Sequence, residues 1–163
     1  MLFSEMGLIP ELLAAVEAKG YQQPSPIQAR SIPAVLEGRD VLGGAQTGTG
    51  KTAAFSLPLL QRLSQAPFAE SYKRPRALVL APTRELAAQV HQSILDYSKG
   101  LKLRSAVIFG GVGFQPQIER LRRGLDIIVA TPGRLLDLCQ RGDAHLSGIE
   151  ILVLDEADRM LDM

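Results

Sequence analysis

Two clusters in this sequence carry the residue types for work on a phosphate group. The first is Ala45-Gln46-Thr47-Gly48-Thr49-Gly50-Lys51-Thr52. Gly48 and Gly50 let the backbone turn tightly enough for several N–H groups to face one concavity. A helix opening there adds its unpaired N–H groups and the positive end of its dipole. Lys51 then suits the β- and γ-phosphates of a nucleotide, and the Thr52 hydroxyl suits Mg²⁺. The usual pattern begins with Gly, where this one has Ala45. The second cluster is Asp155-Glu156-Ala157-Asp158, directly after the apolar run Ile151-Leu152-Val153-Leu154. Carboxylates at the end of a buried strand are costly without a cation. Nucleotide-bound Mg²⁺ supplies one: Asp155 would hold the ion, and Glu156 would orient and help deprotonate an attacking water. The plain alternatives are a glycine-rich turn with a solvated lysine and an acidic turn opening a helix.

A third stretch, Gly20-Tyr21-Gln22-Gln23-Pro24-Ser25-Pro26-Ile27-Gln28, has two readings. Ser25 with Gln28 three residues on is a helix capping box. The Gln28 amide also has the donor and acceptor that pair with the N6 and N7 edge of adenine, with Tyr21 able to stack on the base or simply pack.

Positioning these clusters takes regular elements. Pro10 to Lys19 reads as an amphipathic helix on Leu12, Leu13 and Val16, although Ile9 offers no side-chain cap. A second helix follows Ser25, with Pro33 expected to kink or restart it before Gly38. Asp40 to Gly44 suits a strand before the glycine-rich loop, and the helix after that loop runs through Leu63, with a bend expected at Pro58. Ser64 to Pro75 reads as a loop with a basic end at Lys73, Arg74 and Arg76. Apolar runs at Ala77–Ala81, Ser105–Phe109, Asp126–Ala130 and Ile151–Leu154 predict strands. Helices are expected over Glu85–Lys99, Pro116–Arg123 and the segment bearing Leu135, Leu136, Leu138 and Cys139, with Arg120, Arg122 and Arg123 on a solvated face. Strands alternating with helices predict an α/β fold with a mainly parallel sheet. Ligands of such sheets sit beyond the carboxyl ends of the strands. Ala45, Pro82-Thr83-Arg84, Gly110-Gly111, Thr131 and Asp155 all fall there.

The length of 163 residues fits one domain, with 46% hydrophobic and 21% charged residues as in ordinary soluble proteins. One cysteine, Cys139, cannot form an internal disulfide, so a reducing cytoplasm is expected, and the cysteine itself reads as a helix core residue. Two distant histidines argue against a zinc site. No apolar run reaches the length of a membrane span, and the first residues lack a signal-peptide pattern. A net charge of +1 means that any nucleic-acid site must be a local patch of specific contacts.

Taken together, these motifs resemble the DEAD-box ATP-dependent RNA helicases. Asp155-Glu156-Ala157-Asp158 spells the family's signature. Gly20 to Gln28 resembles its adenine-reading Q motif, with Phe3 at the place of an isolated upstream aromatic. Ala45 to Thr52 is similar to motif I, where Ala at the start is usual. Pro82-Thr83-Arg84-Glu85-Leu86 is similar to motif Ia, Gly110-Gly111 to the GG motif and Thr131-Pro132-Gly133-Arg134 to motif Ib. The wording around them, including Arg159-Met160-Leu161-Asp162-Met163, is most similar to the bacterial RhlE-like branch.

The resemblance implies an N-terminal RecA-like lobe over residues 1–163, with a Q-motif region over 1–38. It implies ATP and Mg²⁺ as cofactors. Phe3, Tyr21, Gln23 and Gln28 would serve adenine, and Ala45, Gln46, Thr47, Gly48, Thr49, Gly50, Lys51 and Thr52 would hold the phosphates. Thr52 and Asp155 would be metal ligands; Lys51, Asp155 and Glu156 would be catalytic; Asp158 would face a second lobe. Pro82, Thr83, Arg84, Gly110, Gly111, Thr131, Pro132, Gly133 and Arg134 would hold an RNA sugar-phosphate backbone with little sequence preference. Solvation, or pairing with Glu85 or Asp137, is the alternative for Arg84 and Arg134.

In the family a Ser-Ala-Thr strand and a second RecA-like lobe with arginine fingers come after the DEAD strand, whereas this sequence stops at Met163. A gap is therefore expected beside the strands at Val41 and Leu152, and the chain alone is expected to be inactive as a helicase, with the full-length form a monomer. Competing readings are a nucleotide- and RNA-binding module without turnover, a DNA-directed helicase and a metabolite kinase. The last shares only the phosphate loop.

Overall fold

The structure, a computed structural model, describes residues 2–38, 49–66 and 74–156. The strand expected at Asp40 to Gly44, the loop residues Ala45, Gln46, Thr47 and Gly48, the basic Lys73, and everything from Ala157 on, including Asp158 and Arg159 to Met163, lie outside the described residues. The chain forms two compact units. One joins Met1–Pro67 to Ser93–Lys102, and the other joins Phe68–Gln92 to Leu103–Met163.

The first unit is helical. A single 3-10 turn at Phe3–Glu5 leads to α1 (Pro10–Ala18), α2 (Pro26–Leu36) and α3 (Thr49–Gln65), with α2 packed on α3. α1 starts at Ile9 without a side-chain cap, and the Ile9 N–H instead donates to Gln61 Oε1 at 2.8 Å. Pro33 does not restart its helix: α2 is one unbroken element, and α3 likewise runs through Pro58. An interior proline costs about 3 kcal/mol. Burying one large aliphatic side chain returns about 1.5–3 kcal/mol, and Ile32, Leu57, Leu59 and Leu60 are all 0% exposed. Tertiary packing outweighs the local breaker.

The second unit is a parallel sheet with helices. Its strands are β1 (Ala77–Leu80), β2 (Ser105–Ile108), β3 (Ile127–Ala130) and β4 (Ile151–Leu154), in the order β2-β3-β1-β4, every pair parallel. Helix α4 (Arg84–Tyr97) starts in this unit, and α5 (Gln115–Arg123) and α6 (Pro132–Gln140) belong to it. Leu78, Ala106, Ile108 and Ile128 of the sheet share one core with Ile118 of α5 and Leu135 and Leu138 of α6. Arg120, Arg122 and Arg123 are exposed, as their spacing predicts; Leu136, at 58% exposure, faces away from the core, and Cys139 is only partly buried against it. Register decides where the loops go. Leu80 pairs with Ala130 and Leu154, and Ile108 pairs with Ala130, so four strand ends form one row. β4 has β1 on one side; among the described residues no strand pairs with its other side, and Leu152 and Leu154 are exposed.

Candidate functional site

In the first unit, Thr49, Gly50, Lys51 and Thr52 form the opening turn of α3, where backbone N–H groups and the helix dipole favour an anion. Lys51 is half-buried and its Nζ is shielded from solvent. The Ser25–Gln28 capping box is formed: the Ser25 N–H donates to Gln28 Oε1 at 2.9 Å, and the Gln28 N–H donates to Ser25 Oγ at 3.4 Å. Gln28 does a second task as well. Its Nε2 donates to the Gly50 carbonyl at 3.1 Å, tying the start of α2 to the start of α3. A primary amide has two donor hydrogens and two acceptor lone pairs, so each end of Gln28 keeps capacity for one further bond. The approach is close: a Cβ at Gly50 would lie 3.2 Å from Ser25 Oγ, which would have to shift by a few tenths of an ångström.

Around that centre, Tyr21 is half-buried and Gln23 exposed, whereas Phe3 is only 3% exposed and packs as a core residue. Tyr97 is buried near Tyr21; burial, then the charges of Tyr21 and Asp96, push its phenol up to about 12, so it stays neutral at physiological pH. Sequence reasoning missed Gln61. Its Nε2 donates to the Gly7 carbonyl and its Oε1 accepts from the Ile9 N–H, both at 2.8 Å, at 4% exposure. The available signal was an amide following the apolar run Leu57-Pro58-Leu59-Leu60.

In the second unit the row of strand ends delivers four loops to one sheet edge. After β1 comes Pro82, buried, and Thr83, whose Oγ1 accepts from the Leu86 N–H at 3.2 Å and so caps α4. Arg84 is exposed, with its guanidinium over the Phe109 ring at 4.8 Å. After β2 come Gly110 and Gly111; Gly111 has φ +82°, and a Cβ there would sit 2.7 Å from Arg84 Nη1. The left-handed backbone favours glycine there, and any side chain would push the Arg84 guanidinium aside. After β3, Thr131 precedes α6 without a side-chain cap bond, Pro132 takes the first helical position and Gly133 is exposed.

Arg134 differs from the sequence expectation. It is 9% exposed, and its guanidinium hydrogen bonds go to neither Glu85 nor Asp137. Its Nη1 donates to Gln117 Oε1 at 3.1 Å, its Nη2 donates to the Val112 carbonyl at 2.9 Å, and its guanidinium covers the Phe114 ring at 4.0 Å. The basic residues before β1 are likewise engaged, Arg74 with Ser147 and Arg76 with Glu150.

After β4, Asp155 and Glu156 are 7% and 5% exposed, and the Asp155 N–H donates to the Leu80 carbonyl at 2.8 Å. Glu156 has φ +52°, the one non-glycine residue with positive φ among those described. For an L-residue that conformation costs about 1–2 kcal/mol, and such outliers gather at functional sites. No group of three or more His, Cys, Asp or Glu gathers as a metal cage among the described residues. No described helix is long and apolar enough to cross a membrane.

Comparison with known proteins points the same way. The sequence model of the DEAD/DEAH box helicase family matches residues 25–163. The chain is 52% identical over 162 residues to the "ATP-dependent RNA helicase DeaD" of Escherichia coli (strain K12), covering 99% of this chain and 25% of that protein. It is 49% identical over 164 residues to the "ATP-dependent RNA helicase RhlB" of Pseudomonas syringae pv. tomato, covering 99% and 41%. It is also 49% identical over 165 residues to the "DEAD-box ATP-dependent RNA helicase CshA" of Streptococcus pneumoniae serotype 4, covering 100% and 30%. The chain spans between a quarter and about two-fifths of the length of these relatives.

Proposed function

The chain belongs to the DEAD/DEAH box helicase family, and on that premise we propose that it is the ATP-binding lobe of an ATP-dependent RNA helicase. The carrying observation is the parallel register, which sets Thr83 and Arg84, Gly110 and Gly111, Thr131, and Asp155 with Glu156 along one sheet edge. Hydroxyls, backbone N–H groups and guanidinium bind phosphate and sugar without reading bases. That suits a chain with a net charge of only +1.

In this reading Gln28 presents its remaining donor and acceptor to adenine, with Tyr21 and Gln23 lining the base and Phe3, 3% exposed, supporting that region from the core. Ala45 to Thr52 hold the phosphates, Lys51 among them. Glu156 positions and deprotonates the attacking water, and its fixed backbone limits where the carboxylate can reach. Thr52 and Asp155 would hold Mg²⁺, since hydroxyl and carboxylate oxygens, few in number, fit that hard ion. When bound it would neutralise phosphate charge. Pro82, Thr83, Arg84, Gly110, Gly111, Thr131, Pro132, Gly133 and Arg134 form the RNA side, and Asp158 faces a second RecA-like lobe that completes the enzyme. We assign the bacterial RhlE-like branch and a cytoplasmic setting as the finer reading.

The test compares binding with turnover in a protein carrying both lobes. Lys51→Ala should weaken ATP binding at least tenfold, the loss of one hydrogen bond to a charged group. Glu156→Gln should spare binding and slow RNA-stimulated hydrolysis by about 10²- to 10⁴-fold. Wild-type hydrolysis by Glu156→Gln would refute the role given to Glu156. ATP and RNA binding without any turnover in the wild type would favour a binding module.

A further inference from the structure

We propose that Gln117 is a positioning residue for the RNA contact of Arg84, acting through Arg134 and the loop from Phe109 to Phe114; the inference rests on the RNA reading above. Gln117 lies on α5 at 7% exposure, too buried to meet a strand of RNA itself. Its amide bridges two groups with opposite needs. Oε1 accepts from Arg134 Nη1 at 3.1 Å, and Nε2 donates to the Phe109 carbonyl at 3.0 Å.

Arg134, held in this way, donates from Nη2 to the Val112 carbonyl at 2.9 Å and covers the Phe114 ring at 4.0 Å. The loop is thereby pinned at residues 109, 112 and 114. Between the pins lies Gly111, in its left-handed conformation, with Arg84 Nη1 against it. At the first pin, the Phe109 ring carries the Arg84 guanidinium at 4.8 Å. Arg84 is exposed, as is Arg141, which also covers the Phe114 ring at 4.5 Å; the Phe109 end of the loop, on which Arg84 rests, is tied to Arg134 through the one buried amide. Glutamine fits this place for a stoichiometric reason. A carboxylate could accept from Arg134 but could not donate to the Phe109 carbonyl, and a leucine could do neither.

The test uses the full chain with Gln117→Leu and Gln117→Glu, and two readouts. Without RNA, the Arg84 Nε–Hε resonance in NMR spectra, shifted by the ring beneath it, should move in both variants toward its position in Phe109→Leu. With fluorescein-labelled oligouridine, anisotropy titrations over several salt concentrations should show Gln117→Leu binding about tenfold more weakly, the loss of one charged hydrogen bond. The slope of log affinity against log salt should fall by about 0.7, one phosphate contact to a single strand. Arg84→Ala should do the same, and the double variant should be no worse than either single one, because both remove one contact. Losses that add, or an unmoved Arg84 resonance, would overturn the proposal while leaving RNA binding intact. If Gln117→Leu does not fold, Gln117→Glu keeps the Arg134 acceptor and is judged by the same two readouts. A wild-type chain that fails to bind RNA would overturn the RNA reading, and this proposal with it.

Discussion

Replacing Gln28 by alanine removes two hydrogen bonds at once, and their geometry sets the size of the effect. The Ser25 N–H loses its acceptor at 2.9 Å and the Gly50 carbonyl loses its donor at 3.1 Å. At about 1 kcal/mol net for each bond, the loss comes to about 2 kcal/mol. The first of them is half of a capping box, whose loss alone is worth about 1 kcal/mol. For a chain of this length each kcal/mol moves the melting temperature by about 2–4 °C, so Gln28→Ala should melt about 4–8 °C lower without nucleotide. Scanning calorimetry measures this directly. Gln28→Glu separates the two bonds: it keeps an acceptor for the Ser25 N–H but turns an oxygen towards the Gly50 carbonyl. Base preference is measured independently, by titrating ATP and GTP. Losing a bidentate pair to adenine costs about 1–3 kcal/mol, so the wild type should favour ATP about 5- to 150-fold and Gln28→Ala should not. A variant melting within a degree of wild type would refute the structural argument. Equal affinity of the wild type for ATP and GTP would refute the adenine assignment.

Two further outcomes follow from single residues. At Glu156, φ +52° reverses the usual ranking of small residues, so Glu156→Gly should be more stable than Glu156→Ala by about 1 kcal/mol in denaturant melts; the opposite order would contradict the left-handed backbone. His91, 9% exposed and in contact with Ser105 Oγ at 3.1 Å, has its pKa pushed below 6.5, chiefly by burial; a hydrogen bond to the Ser105 backbone opposes this and the charge of Arg120 adds to it. The unfolded chain then binds the proton more readily, so this stability is full above pH 6.5 and is lost as pH falls through the folded-state pKa. Melting temperatures from about pH 7 to 5 should drop less steeply in His91→Gln than in wild type, and parallel curves would refute the assignment.

What the sequence made legible was local. Runs such as Ile127 to Ala130 are apolar at every position and flanked by turn residues, so buried parallel strands follow from content and length, and β3 is buried throughout. The capping box was readable because Ser25 and Gln28 are three residues apart. Arg134 was not readable in the same way. Its neighbours in sequence offer charges, but its partners lie 17 and 22 residues away, on another helix and a loop. Only the assembled sheet brings those elements to one place. Phe3 shows the same limit, since an isolated aromatic in a short segment does not announce whether it faces a ligand or the core. At Pro33 the expected restart did not occur, since burial that no local rule contains carries the helix through the breaker.

The amide of Gln61 also has a consequence in time. It joins groups 52 and 54 residues apart in sequence, and closing so long a loop is an entropic cost that only a formed α3 can offset. At a synthesis rate of about 5–20 residues per second, Gly7 and Ile9 leave the ribosome roughly 3–10 s before Gln61 does. Through that interval the Gly7 carbonyl and the Ile9 N–H lack the Gln61 amide that they bond in the folded unit. The segment around Gly7 and Ile9 is therefore made well before the amide that secures it and, in its unit, is among the last fixed.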